Sequence, residues 1–255
     1  MKTINEFVLG FGSYLKAFDL LIRFRLYKYF LLLLLLIALF SFPVVLFDFI
    51  TSFITGLIPF AKAQEFALTG VSLTATISGF FLLLILSPLL SIVSEEVGVK
   101  LRGKSYRFSL TQLVKDIVRG IKITLRNLFY QYILIAIISI LMYVLPASKI
   151  ISLFGSAAIF LVTAYFYGFS ILDYAMENYR MNYQTSVNFV RQHAGLALGL
   201  GAVYYVIISI NNLDFMAQKL GHFTVYWSAF AEAFVAFIGV IAASYLLYQY
   251  KKSDL

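Results

Sequence analysis

Residues 127–172 read NLFYQYILIAIISILMYVL, then PASK, then IISLFGSAAIFLVTAYFYGFSIL. Two apolar stretches, 127–145 and 150–172, are separated only by Pro146, Ala147, Ser148 and Lys149. Neither stretch contains Asp, Glu, Lys or Arg. About 20 predominantly apolar residues cross a bilayer, and each stretch is close to that length. Two such stretches joined by four residues predict a tight helical hairpin, and the rest of the chain follows the same logic.

Downstream, residues 173–195 are polar. The stretches 196–210 and 223–250 then predict a second hairpin, its first arm short for a full span. Upstream, 29–50 holds the run Leu31–Leu36 and predicts the first span, with Pro43 near its far end. Phe66–Val93 is a second long apolar stretch, with Pro88 close to its end. Between 94 and 126 lies the main hydrophilic insert. Ser109 and Gln112 form a capping box there. Leu110, Leu113, Val114, Ile117, Val118, Ile121 and Leu125 follow as an apolar stripe. Lys115, Arg119, Lys122 and Arg126 occupy another face, as in a basic interfacial helix meeting anionic lipid headgroups. Phe7, Val8, Phe11, Tyr14, Leu15, Phe18, Leu21 and Ile22 predict an amphipathic N-terminal helix, lying in the interface or packed under the bundle. That polar leader is too long for a secretory signal.

The fold class is therefore an all-α integral membrane protein. It has two long transmembrane helices, two helical hairpins and amphipathic interfacial helices, in one membrane domain over 1–255. Composition agrees: 62% of the 255 residues are hydrophobic and only 13% are charged. A soluble chain carries about 25% charged residues. No Cys is present, which excludes a disulfide scaffold, a thiolate metal site and a cysteine nucleophile.

The net charge of +8 is explained by loop lysines and arginines. No basic domain stands apart from the spans, so no nucleic acid partner is expected. Seventeen Lys and Arg fall in the N-terminal segment, the 94–126 insert, segment 173–195 and the tail; three, Lys62, Lys149 and Lys219, fall on the other side. This bias predicts both termini in the cytoplasm.

Few residues suggest chemistry. Arg23, Arg25 and Lys28 precede the first span. They are either ordinary positive-inside anchors or the mouth of an anion path, since both cation types attract oxyanions. Asp173 and Glu177 are an i, i+4 carboxylate pair at a span end, for capping and loop organisation or for a cation or proton. Glu232 is a carboxylate inside an apolar stretch, hence either functional or neutralised by bonding within the bundle. His193 and His222 are expected at the surface or interface. Gly195, Gly199 and Gly201 are expected to permit close helix contact. No metalloprotease or serine-hydrolase motif is present, and no metal, cofactor or catalytic residue is expected.

The segment Tyr167-Gly168-Phe169-Ser170-Ile171-Leu172-Asp173-Tyr174, followed by Glu177-Asn178, resembles the CysZ family of bacterial sulfate permeases and their etoposide-induced-protein relatives. So do Ser87-Pro88-Leu89-Leu90 with Ser94-Glu95-Glu96-Val97 and Leu101-Arg102-Gly103, and the opening Gly10-Phe11-Gly12. Ala175 stands where the family usually has Pro. Leu26-Tyr27-Lys28-Tyr29-Phe30 stands where the family's sulfate-contacting turn reads Gly-(Leu/Ile)-Arg-Arg-Phe. The resemblance implies hairpins that enter only part of the bilayer, a homo-oligomer in the bacterial inner membrane, and uptake of sulfate or a related oxyanion feeding sulfur assimilation. At that turn only Lys28 and Phe30 fit the family's pattern, and Arg23 and Arg25, shifted in position, are the substitutes for the missing glycine turn in an anion site of Arg23, Arg25 and Lys28; Asp173, Glu177, Asn178 and Glu232 are expected as polar membrane-embedded or structural residues. The alternative is a non-transporting scaffold or lipid-interacting protein of the same fold.

Overall fold

The computed structural model describes residues 2–37, 73–103, 110–145, 148–211 and 223–253, which are almost entirely helical and contain no strand. In chain order the helices are α1 (Lys2–Arg23), α2 (Lys28–Ile37), α3 (Leu73–Arg102), α4 (Leu110–Val144), α5 (Lys149–Glu177), α6 (Tyr183–Gln192), α7 (Ala194–Asn211) and α8 (Phe223–Ser253). The chain is an all-α membrane protein. Among the described residues, Val118–Val144, Lys149–Glu177 and Ala229–Tyr250 are long and apolar enough to cross a bilayer. The α6–α7 pair, bent by 87°, makes a fourth if counted as one broken span.

The first hairpin is present as α4 and α5. Ser148 caps α5, its hydroxyl accepting from the Ile151 N–H at 3.2 Å. However, α4 is one continuous helix of 35 residues. The expected basic helix over 108–126 is its first half, not a separate element. No Pro interrupts it, and Gly120 is the kind of single glycine that an apolar helix tolerates. The polar segment 173–195 is also more ordered than its composition suggests. Helix α5 runs on to Glu177, and Asn182 caps α6 by accepting from the Thr185 N–H at 2.8 Å.

The core forms around α8, whose spanning window is 83% buried, whereas that of α4 is 11% buried. Helix α8 packs against α1, α3, α5 and α7; α4 lies outside, held mainly by α5. Phe129, Ile133, Ile137 and Ile140 of α4 are accordingly exposed, as a lipid-facing helix requires.

Helix α7 is clasped between α1 and α5 through small residues. A Cβ on Gly201 would lie 1.7 Å from the Ala164 carbonyl oxygen, and one on Gly168 1.8 Å from that of Ala197. On the opposite side, a Cβ on Gly199 would lie 2.3 Å from the Phe7 carbonyl oxygen. Close approach, not a phosphate cradle, is thus the use of these glycines, as expected.

The N-terminal helix buries its small residues and exposes most of its large apolar ones. Its buried face is Glu6, Gly10, Ser13, Tyr14, Ala17 and Leu20. The apolar stripe of Val8, Phe11, Leu15, Phe18 and Ile22 is exposed. Small residues face the protein because backbones must approach; large apolar ones face outward, as on an interfacial helix. Residues 38–72, which carry most of the first span, Pro43, Lys62, Thr69 and Ser72, lie outside the described residues, as do Pro146, Lys219 and His222.

Candidate anion site

The α1–α2 turn has a specific hydrogen-bond pattern. The Leu26 N–H donates to the Leu21 carbonyl at 3.0 Å and the Arg25 N–H to that of Ile22 at 3.1 Å. Arg25 has φ 56°. These are the two bonds and the left-handed residue of a Schellman helix end. The residue after the left-handed one packs back on the helix in this motif, and Leu26 is fully buried. Glycine is usual at the left-handed position because it has no Cβ to clash. Here Arg25 holds it, one residue before the place where the family's turn has its glycine. Arg23, the last residue of α1, and Arg25, in the turn before α2, are both exposed.

Lys28 is placed differently. Its Nζ lies 2.9 Å from Glu96 Oε1, and the Tyr29 hydroxyl donates to the other oxygen of the same carboxylate. Burial tends to raise the Glu96 carboxyl, but hydrogen bonds from Lys28 and Tyr29, with the charges of Lys28 and Lys100, hold it below its ordinary value. The hydrogen bond to Glu96 raises Lys28 in turn. Of the three cations expected to meet an anion, two are exposed and one is already paired.

The two sequence segments that carry the family resemblance meet next to this turn. The Asn178 amide and the Ser94 hydroxyl are hydrogen-bonded. The Ser94 hydroxyl also lies 2.8 Å from that of Ser244 and donates to the Tyr174 carbonyl at 3.2 Å. Ser91 donates to Glu177 at 2.9 Å. Asp173, one turn earlier, faces α4 instead: Arg119 forms an ion pair with it and donates to the Ser186 hydroxyl at 2.9 Å. The i, i+4 carboxylates therefore serve two different helices. Among the described residues no group of His, Asp and Glu could hold a metal.

Two further corrections follow. Arg119 does not join Lys122 on the exposed basic face, because Asp173 and Ser186 draw its guanidinium inward. Arg126 is half-buried between the rings of Tyr130 and Phe169, 5.2 and 5.3 Å from their centroids. The side chain of Lys115 lies outside the described residues. His193 is not a surface residue: its Nδ1 is 2.8 Å from Glu6, and its ring packs between Phe189 and Tyr250 at the α6–α7 bend. Glu6, almost fully buried, was not visible as a site residue in the sequence. Glu232 is buried in α8, within electrostatic reach of Tyr167 and Tyr204.

Sequence reading missed the polar interior of the first hairpin. The Asn127 amide reaches Ser170 at 3.4 Å. Farther from Arg119 along the same two helices, the Gln131 amide and the Thr163 hydroxyl are buried and unpartnered among the described residues. Asn127 and Gln131, four apart in an apolar run, are the signal that was available.

Membrane helices around an internal polar network, with a cationic helix-to-helix turn at one end, define a polytopic membrane protein. The family model described as "Sulfate transporter CysZ/Etoposide-induced protein 2.4" matches residues 13–217, and the chain belongs to that family. No curated protein matches it.

Proposed function

We propose that this protein is an inner-membrane permease for sulfate or a related oxyanion. The observation that carries the reading is the α1–α2 turn, which leaves Arg23 at the end of α1 and Arg25 before α2 exposed to solvent in a member of a sulfate-transporter family. Guanidinium forks suit tetrahedral oxyanions, and a helix N-terminus adds a favourable field. The reading includes both termini in the cytoplasm, supported by the seventeen-to-three distribution of Lys and Arg. It also includes a homo-oligomer, which would cover part of the exposed apolar surface of α4, and no enzymatic activity.

Reconstitution into liposomes tests this. Wild-type protein should admit labelled sulfate above the empty-liposome rate, and the Arg23→Ala/Arg25→Ala/Lys28→Ala variant should lose that excess. Wild-type flux equal to empty liposomes would refute the permease. The exposed apolar stripe of α1 supports a second reading, a lipid-interacting scaffold without transport. That reading requires binding to anionic vesicles that weakens when Lys115 and Lys122 are neutralised, in protein that passes no anion.

A further inference from the structure

Close helix contact does not explain Gly12. A Cβ on Gly10 would lie 2.8 Å from the Leu196 carbonyl oxygen, so Gly10 lets α7 approach α1. A Cβ on Gly12 would meet nothing within 4 Å. Glycine inside a helix is destabilising relative to alanine, and here no neighbour requires it. Gly12 instead lines a groove of about 680 Å³ between α1 and α8, well within the range of small-molecule sites, about 300–1,000 Å³.

Helix α1 contributes Val8, Leu9, Gly12 and Lys16 to this groove, and α8 contributes Tyr245, Leu246 and Gln249. The two helices run antiparallel here: the Tyr250 hydroxyl donates to Glu6 at 3.3 Å, and a Cβ on Gly239 would lie 2.9 Å from the Tyr14 hydroxyl. No carboxylate lines the groove among the described residues. Lys16 is exposed and forms no ion pair among them, although Asp19 lies three residues on. Gln249 donates to the Tyr245 hydroxyl at 3.1 Å, which leaves the phenolic proton to donate elsewhere. The other polar walls are satisfied, Ser13 by the Gly10 carbonyl at 2.6 Å and Tyr250 by Glu6. An apolar chain can lie on them without stranding a buried donor.

The surroundings say which apolar chain. Val8 and Leu9 belong both to the groove and to the exposed apolar surface of α1, with Phe11, Leu15 and Phe18. A helix with such a face lies at the boundary of headgroups and acyl chains. The groove is therefore continuous with surface that lipid covers, and its one charge is positive.

We propose that the α1–α8 groove binds one anionic phospholipid. An acyl chain lies along Val8, Leu9, Gly12 and Leu246, and Lys16 meets the phosphate, with Tyr245 and Gln249 as neutral donors. The site does not depend on whether the protein passes an anion.

Native mass spectrometry of the full-length protein, released from micelles of equal phosphatidylglycerol and phosphatidylcholine, counts the retained lipid. Wild type should keep at least one lipid, with phosphatidylglycerol preferred. Lys16→Gln should lower that preference about fivefold, the effect of one lysine at an anionic surface. Gly12→Phe fills the groove and should abolish retention of this lipid with either headgroup. Gly12→Ala, whose methyl meets nothing, should retain it. Lys149→Gln, exposed at the start of α5, is the charge control and should change nothing. Matching thermal unfolding midpoints for Gly12→Phe and Gly12→Ala show that the fold persists.

A second measurement needs no variant. Phosphatidylglycerol with a diazirine on its acyl chain is photolysed in proteoliposomes of the wild type. Label should concentrate on peptides holding 8–16 and 245–250, several-fold above the exposed apolar face of α4 over 129–140.

Phosphatidylglycerol retained as in wild type by both Lys16→Gln and Gly12→Phe overturns the site. So does label no stronger at the groove than on α4. Gly12→Phe that keeps its lipid but changes the subunit count makes the groove a contact between copies and also overturns it. Retention lost in Gly12→Phe, with the headgroup preference intact in Lys16→Gln, overturns the anionic assignment. Sulfate flux is read separately: wild type that keeps the lipid but passes no sulfate refutes the permease and leaves the site.

Discussion

Replacing Gly201 by Ala should separate α7 from α5. The added methyl would sit 1.7 Å from the Ala164 carbonyl oxygen, 2.6 Å from the Gly168 nitrogen and 2.7 Å from the Ala164 carbonyl carbon. All three are backbone atoms, so no rotamer change makes room. An ordinary methyl-to-backbone contact is near 3.5 Å. The helices must therefore part by well over 1 Å along a face that also includes Gly168, Ala164 and Ala197. Overpacking a side chain costs about 1–3 kcal/mol, and moving a helix backbone falls at or above the top of that range. We expect Gly201→Ala to lose about 3 kcal/mol or more. Gly120→Ala is the control, since a Cβ there meets nothing within 4 Å. It should gain about 0.5–1 kcal/mol from helix propensity. Unfolding in mixed detergent micelles by titrated SDS, followed by circular dichroism, measures both. Gly168→Ala should behave like Gly201→Ala, and the double variant should lose less than their sum because one separation relieves both. Gly201→Ala unfolding at the same SDS fraction as Gly120→Ala would refute the close-packing argument.

Other outcomes follow from single contacts. Asp173→Ala leaves Arg119 half-sheltered without its acid and should cost about 3 kcal/mol, while Arg119→Met/Asp173→Leu should recover much of it; the same SDS titration checks both. Arg25→Gly relieves a left-handed arginine and should raise stability by up to about 1 kcal/mol, read as a higher unfolding midpoint. The Lys28–Glu96 pair gives a pH signature. Because the Glu96 carboxyl is lowered from 4.5, its contribution is full above that pH and is lost as pH falls through the lower folded value. Lys28, raised from 10.5, contributes fully below that pH and loses its share only at still more alkaline pH. Glu96→Gln should remove both dependences in midpoint-against-pH curves. Finally, Glu6→Gln should loosen the α6–α7 bend, seen as faster amide exchange around His193, because it weakens the bond that ties α1 to that corner.

Apolar run length settled much about this chain. The stretches around Pro146–Lys149 determined a hairpin because hydrocarbon permits only internally bonded backbone. Asn127–Leu145 and Ile150–Leu172 could be nothing else. The glycines of α7 were readable as contact points for the same kind of reason, since small residues in membranes let helices approach. The short motifs around Ser94 and Asp173 were enough to suggest the family.

Other features required the tertiary structure. Helical period shows which residues share a face, not what that face meets. In α1 the large apolar stripe faces outward and the small residues inward, an inversion that depends on α7 having glycines at matching heights. Arg119, Lys122 and Arg126 lie within seven residues on one helix, yet one pairs with Asp173, one is exposed and one lies between aromatic rings. Asp173 and Ser186, the partners of Arg119, are 54 and 67 residues away in sequence and on other helices. Charge type and spacing were in the sequence; whether a charge is neutralised, exposed or held against aromatic rings was decided by which helix packed beside it.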